Sequence, residues 1–170
     1  MKKIVQRRIV MGVMCLIVFG LLVGASSAPA VARAQPSNQM AVLVALRAAF
    51  HPEVTPHYDR VVFELQGKLP ENIRVEYVSK LIADGSGAAV PIEGKGILKL
   101  VLSPASAHTD AGTPTVPTRI RSDLPIVKEV VRSGDFEGVV SYGIGVSSKT
   151  EIRFFTLTHP TRVVMDFLYA

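Results

Sequence analysis

Two stretches of this chain spell nearly the same β-strand: DRVVFELQ at residues 59–66 and TRVVMDFL at residues 161–168. Each contains, in order, an arginine, two valines, an apolar residue, an acid and another apolar residue. The charged residues share one face, and the larger apolar residues share the other, as the period of two in a half-buried strand requires. The repeated stretch therefore predicts two strands that each place one face against a hydrophobic core.

The charged side chains of both copies fall on the face that points away from the core. They are Arg60 and Glu64 in the first copy and Arg162 and Asp166 in the second. Arginine and acid within one copy are four residues apart, roughly 13 Å along a strand, so they cannot pair with each other. Each needs a partner on a neighbouring strand or a ligand. These four residues are the predicted binding residues, and the alternative is that cross-strand pairing is their whole role.

Strand signals continue along the chain from Met40 onward, where segments rich in Val, Ile, Phe and Tyr are separated by turn residues. The predicted strands are 41–49, 60–66, 73–80, 97–103, 126–132, 136–146, 151–157 and 162–168. Many short strands at this spacing predict an all-β fold, a two-sheet antiparallel β-sandwich. The repeated stretch adds the expectation that the sandwich has two pseudo-symmetric halves.

One segment of the predicted domain, residues 40–170, does not fit the strand pattern. Residues 103–125 contain four prolines, which cannot donate hydrogen bonds to a sheet. A loop longer than about 12–15 residues is uncommon in a compact domain and is usually functional or mobile. We expect a long, Pro-rich, mobile loop here, and a short linker at residues 35–39.

The amino terminus has the three parts of a secretory signal peptide. Residues 1–34 combine a basic start, an apolar run over residues 9–25 and a small-residue stretch that permits cleavage after Ala34 or after Ala30. An uncleaved anchor is the alternative, because the apolar run is near the shortest length that spans a bilayer, about 17 residues. The predicted location is therefore secreted or extracytoplasmic, with cell-wall association and no stable membrane insertion after cleavage.

Removal of the signal peptide changes the composition of the chain. Five of the 19 Lys and Arg lie in residues 1–34, which leaves 14 against 14 Asp and Glu and a net charge of zero. A neutral domain gives no case for nucleic-acid binding, which needs a basic surface. Cys15 is the only cysteine and follows Met14 rather than a small residue, so the chain lacks a lipobox, and the mature domain has no thiol or disulfide.

Three segments carry a resemblance to a known family: YDRVVFEL, GDFEGVVSYGIGV and FFTLTHPTRVVMDF. They resemble the AMIN-like domain of secreted and lipid-anchored actinobacterial proteins, over nearly all of residues 40–168. The stretch at residues 162–167 is more distantly similar to the strand motif of AMIN domains, which target cell-wall amidases and secretins to the envelope. That likeness implies a sandwich with the two copies on separate sheets, and peptidoglycan as a ligand.

These features together predict a non-catalytic, exported envelope module. It would bind a cell-wall polymer of the peptidoglycan type or an envelope protein through an outer sheet face. The alternative is a small-molecule carrier, because Gly143 and Gly145 share one strand face. Two glycines on one face allow a close approach, by a ligand in a cleft or by a packed neighbour.

Catalytic and metal chemistry is poorly supported by the sequence. The chain has neither a G-x-S-x-G nor an H-E-x-x-H motif. Asp135 and Glu137 form one candidate acid pair, but the glycines beside them predict a bulge or bend. His57 and Asp59, together with His51, form a candidate cation site, although turn histidines are more commonly plain surface residues. We predict no enzyme activity, no cofactor and no metal.

Overall fold

The computed structural model describes residues 40–169, so the predicted signal peptide and linker lie outside the described residues. This part of the chain consists of ten strands joined by turns and loops, and it contains no helix suited to crossing a membrane. The strands are β1 (Ala41–His51), β2 (Tyr58–Gln66), β3 (Asn72–Val78), β4 (Gly96–Ser103), β5 (Ala105–Ser106), β6 (Arg119–Arg121), β7 (Val127–Phe136), β8 (Val139–Val146), β9 (Ile152–Thr158) and β10 (Thr161–Leu168).

All eight predicted strands are present, and β5 and β6 are additional. The largest difference in boundaries is at the β7–β8 turn, which falls at Glu137 and Gly138 and not at the polar residues before Phe136. Both turn residues have positive φ, 49° and 75°. Gly134 lies in a β-bulge after Arg132, as its sequence position predicted. The bulge keeps the polar run within the strand instead of ending it.

The ten strands form two five-stranded sheets, which confirms the predicted all-β sandwich. Sheet A has the order β5-β1-β2-β10-β9, and sheet B has the order β3-β4-β8-β7-β6. Without β5 and β6, each sheet consists of two antiparallel hairpins joined through their second strands. The two sheets therefore have equivalent connectivity, with the strand order β1-β2-β10-β9 in sheet A and β3-β4-β8-β7 in sheet B.

The two copies of the repeated strand lie side by side in sheet A, so the expectation that they occupy separate sheets is wrong. β2 and β10 are antiparallel neighbours, with Arg60 opposite Asp166 and Glu64 opposite Arg162. A strand that carries an arginine and, four residues later, an acid is complementary to an antiparallel copy of itself. The repeated sequence thus places an arginine opposite an acid at two positions of one strand pair.

The core lies between the inner faces of the two sheets. Phe63 on β2 meets Tyr142 on β8 edge to face, with ring centroids 5.1 Å apart, and both side chains are fully buried. Val61, Phe63 and Leu65 point inward as predicted. The outer faces of the sheets are consequently the surfaces available for function.

The segment 103–125, predicted to be a mobile loop, packs against the sandwich. β5 pairs in parallel with β1, and β6 pairs antiparallel with β7. Ala105, Ala107 and Val116 are buried among core residues. The prolines limit the strands to two and three residues, but small side chains between them fit onto the core.

Candidate functional site

The outer face of sheet A brings the four predicted binding residues together. We call this surface the arginine face. Its residues are Arg47 on β1; Arg60, Val62 and Glu64 on β2; Arg162, Val164 and Asp166 on β10; and Arg153, Phe155 and Leu157 on β9. The strand register arranges them in three rows across the sheet. One outer row holds Arg60, Asp166 and Arg153, the other holds Glu64, Arg162 and Leu157, and the row between holds Arg47, Val62, Val164 and Phe155.

Arg60 and Asp166 form a bidentate ion pair on this face. Nε of Arg60 donates to Oδ1 of Asp166 at 2.6 Å, and Nη2 donates to Oδ2 at 2.8 Å. The guanidinium also lies 4.9 Å from the ring centroid of Tyr58 and 5.4 Å from that of Phe155. The hydrogen bond to Asp166 raises the pKa of Arg60. Asp166 faces outward as predicted, yet its side chain is only 5% exposed, because Arg60 pairs with it.

Glu64 and Arg162 lie opposite each other in the strand register but do not form an ion pair. Nη2 of Arg47 on β1 donates to Oε2 of Glu64 at 2.5 Å, so Glu64 is engaged from its other side. Nε of Arg162 contacts only the carbonyl of Pro160, at 3.5 Å. Among the described residues, no carboxylate lies within 4.0 Å of the Arg162 guanidinium. Arg162 is therefore not neutralised by any carboxylate of this part of the chain.

Arg153 on β9 is a second arginine of this kind, and it lies opposite Asp166 in the strand register. Arg153 is exposed, and Asp166 is already held by Arg60. None of the carboxylates in residues 40–169 is within 4.0 Å of the Arg153 guanidinium. The arginine face thus has four guanidinium groups and two carboxylates, an excess of two positive charges.

The outer face of sheet B is covered by the chain itself over the middle of β7 and β8. The connection between β3 and β4, residues 79–95, crosses this face, and we call it the covering segment. Leu81 of this segment is fully buried. A Cβ at Gly143 would overlap the Leu81 side chain, and a Cβ at Gly145 would overlap the carbonyl oxygen of Glu93. The two glycines therefore admit the covering segment, and the cleft beside them that the carrier hypothesis needs is filled.

Glu129 on β7 anchors the covering segment. Its side chain is fully buried and accepts hydrogen bonds from Nη1 of Arg119 at 2.6 Å and from the amide of Glu93 at 2.9 Å. Nε of Arg121 adds a third, at 3.2 Å. Burial alone raises the pKa of Glu129, but these hydrogen bonds outweigh it and hold the pKa below its usual value. This carboxylate is satisfied by the chain's own groups.

The chain was compared with known protein families and with curated proteins. The sequence profile of the AMIN-like domain matches residues 41–169, which is nearly the whole described part of the chain. The chain belongs to the AMIN-like domain family. A search of curated proteins finds no match. An AMIN-like domain indicates an extracytoplasmic, envelope-associated interaction module, and such domains are generally non-catalytic.

The AMIN-like domain uses Asp59 structurally, and the cation site suggested for His57 and Asp59 is wrong. Asp59 is fully buried, and its Oδ2 accepts the amides of Ile126 and Val127 at 2.7 and 2.8 Å. The Tyr169 hydroxyl donates to Oδ1 at 3.3 Å. Burial, together with Asp59, raises the pKa of Tyr169 to about 12. Asp59 thus ties the end of sheet A to the start of β7 in sheet B.

Asp135 in the AMIN-like domain is likewise engaged by neighbouring groups. It pairs with Arg132 at 2.7 Å and with His108 at 2.9 Å, and it accepts the Ala107 amide at 3.1 Å. These contacts hold the segment that follows β5 against β7. Glu137, the other member of the candidate acid pair, occupies the β7–β8 turn. The structural role predicted for this pair agrees with these contacts.

Sequence reasoning placed Arg60, Glu64, Arg162 and Asp166 on an outer sheet face but missed the other two arginines of that face in the AMIN-like domain. The turn between β9 and β10 consists of His159 and Pro160, and its two-residue length sets the hairpin register that brings Arg153 opposite Asp166. A register argument from this turn would have found Arg153. The position of Arg47 on this face depends on the bulge in β1, and no sequence feature comparable to the turn indicated that position.

Proposed function

We propose that this AMIN-like domain is a non-catalytic exported module that binds an anionic cell-wall polymer of the peptidoglycan type through the arginine face. Residues 1–34 serve as its signal peptide. The observation that supports the proposal best is the pair Arg153 and Arg162, two guanidinium groups that no carboxylate of the described residues neutralises. A face with excess positive charge, on a domain whose net charge is zero, favours an anionic ligand.

The chemistry of the two arginines fits such a polymer. A guanidinium presents a planar fork to a carboxylate or a phosphate, and wall polymers carry both groups. Arg162 and Arg153 lie on neighbouring strands and in different rows, roughly 13 Å apart along the strand direction. A repeating polymer can meet both with successive anionic groups, while the partly exposed Phe155 between them offers apolar contact.

The Arg60–Asp166 pair has a positioning role in this proposal. Both oxygens of Asp166 are already engaged, and the Arg60 guanidinium packs against Tyr58 and Phe155. The pair fixes the centre of the face, so Arg153 and Arg162 project from a rigid surface. Polymer contact is assigned to Arg153 and Arg162.

Co-sedimentation with purified cell walls tests the proposal. We expect Arg162→Ala and Arg153→Ala each to weaken binding, and the double variant to abolish most of it. Lys80→Ala is the matched control, because Lys80 is an exposed cation outside the arginine face. If the double variant binds as tightly as wild type, the polymer does not bind through the arginine face.

Two wall preparations separate the possible anions. Walls stripped of phosphate polymers retain the peptide carboxylates of peptidoglycan, so undiminished binding to them assigns the carboxylates as the ligand. Binding that is lost with the phosphate polymers assigns the phosphates. Failure to bind either preparation would overturn the polymer proposal and leave an envelope protein as the ligand of this face.

A further inference from the structure

The edges of the two sheets differ in length and protection. On one flank the edge strands are β5 and β6, which have two and three residues and lie in the Pro-rich segment. On the other flank the edge strands are β3 and β9, with seven residues each. Long edge strands with unpaired backbone groups are templates for pairing with another chain unless the sequence blocks them. The flank of β3 and β9 is therefore the place to look for a partner.

β3 lacks most of the features that block an edge strand. Its sequence, NIRVEYV, contains no proline, glycine or lysine, and its charged residues point outward. Ile73, Val75 and Tyr77 point toward the core and are only half-buried. β3 pairs with β4 alone, and no other strand within residues 40–169 uses its free edge.

The charges of β3 are complementary to an antiparallel copy of the same strand. A two-fold axis through Val75 places Arg74 opposite Glu76 of the second copy, and Glu76 opposite Arg74. Within one copy these side chains make only a long contact, 3.5 Å from Nε to Oε1, and are 70% and 50% exposed. Both are therefore free to form pairs across an edge, as arginine and acid do between β2 and β10.

We propose that β3 pairs with β3 of a second copy of this chain, forming a two-fold dimer with a continuous ten-stranded sheet. The same operation on β9, about Phe155, would place Arg153 opposite Leu157 and offers no complementary charges. The apolar groove beside β3, about 470 Å³, supports an interface on this flank. It is lined by Ile73, Tyr77 and the 43% exposed Phe154, among others, and a second copy would cover part of it.

The geometry of this dimer has a consequence for the arginine faces. A two-fold axis between antiparallel strands runs perpendicular to their sheet, so the second copy keeps its sheet A on the same side. Both arginine faces then point in the same direction. A dimer would present two binding surfaces to one extended polymer, and avidity would exceed the affinity of either face. This consequence rests on the proposed function, whereas the dimer itself does not.

Sedimentation velocity over a concentration series, without polymer, tests the dimer. We expect wild type to dimerise reversibly, and Arg74→Glu and Glu76→Arg each to weaken dimerisation by at least about tenfold, because like charges then face each other in both pairs. An equimolar mixture of the two variants should recover dimers, since every acid on one chain would again face an arginine on the other. The double variant Arg74→Glu/Glu76→Arg should also dimerise, because it restores self-complementarity.

The single variants are expected to fold, since both side chains are exposed, and thermal melting of each checks this. A wild-type protein that stays monomeric at every concentration would overturn the proposal, including the case in which residues before 40 occupy the β3 edge. Single variants that dimerise like wild type would also overturn it. Arg162→Ala should dimerise normally, so failure of polymer binding and failure of dimerisation are distinguishable.

Discussion

The two sheets have the same strand connectivity, but their outer faces differ in whether the chain itself covers them. The face of sheet B is covered over the middle of β7 and β8 by residues 79–95, with Leu81 over Gly143 and a backbone carbonyl over Gly145. The face of sheet A has no such cover among the described residues and carries the four arginines. Glycines on one sheet admit the chain's own backbone, and long charged side chains on the other stand where an external ligand can reach them. The exposed face is therefore the candidate for binding.

The same contrast appears in how each face satisfies its buried carboxylate. Glu129 on sheet B is fully buried and is bound by two arginines of β6 and by one backbone amide of the covering segment. Asp166 on sheet A is bound by one arginine from the adjacent strand. On sheet B, carboxylate and guanidinium groups thus hold the covering segment in place. On sheet A, they make the arginine face rigid.

The largest expected effect is on the covered face. Gly145→Ala should lower the free energy of unfolding by about 3 kcal/mol, because the new Cβ overlaps a backbone carbonyl that cannot move without lifting the covering segment. Urea denaturation measures the loss, and proteolysis within residues 79–95 should become faster. Gly85→Ala is the matched control, because no atom lies within 4 Å of the place its new methyl group would take, and it should change stability by less than about 0.5 kcal/mol.

The next effect tests the anchor of the cover. Glu129→Gln keeps the shape of the side chain but removes its charge, and should cost about 2 kcal/mol at neutral pH. Folding lowers the pKa of Glu129 below its usual value of 4.5. The charge of Glu129 therefore contributes fully to stability above pH 4.5, and this contribution is lost as the pH falls below that value. The stability difference between wild type and Glu129→Gln should therefore shrink in acid. A difference that grows in acid would contradict the assigned anchor.

The smallest effects distinguish two arginines of the exposed face. Arg60→Ala should cost about 1–2 kcal/mol, because it leaves the carboxylate of Asp166 without its partner. Arg162→Ala should change stability by less than about 0.5 kcal/mol, because no carboxylate of the described chain pairs with it. Thermal unfolding of both variants measures the difference. Equal losses would mean that Arg162 also has a structural role, and would weaken its assignment to ligand binding.

Much of the fold was predictable because local pattern determines it. Period-two alternation and turn residues located eight strands, and the bulge at Gly134 followed from glycine next to polar residues. The short strands β5 and β6 were missed, because two or three residues between prolines give no periodic signal. The structural role of Asp59 was missed, because its inward position at a strand end, beside the amides of Ile126 and Val127, depends on how the sheets pack.

The sequence by itself determined that the chain alternates charged and apolar faces, and that arginine and acid recur at the same spacing on two strands. Only the tertiary structure decided that these strands pair with each other, that Arg47 pairs with Glu64, and that no carboxylate within residues 40–169 pairs with Arg162. Alternation is a property of each strand's own backbone, because successive side chains point to opposite faces. Pairing depends on which strands become neighbours, and that is set by contacts between residues far apart in the chain.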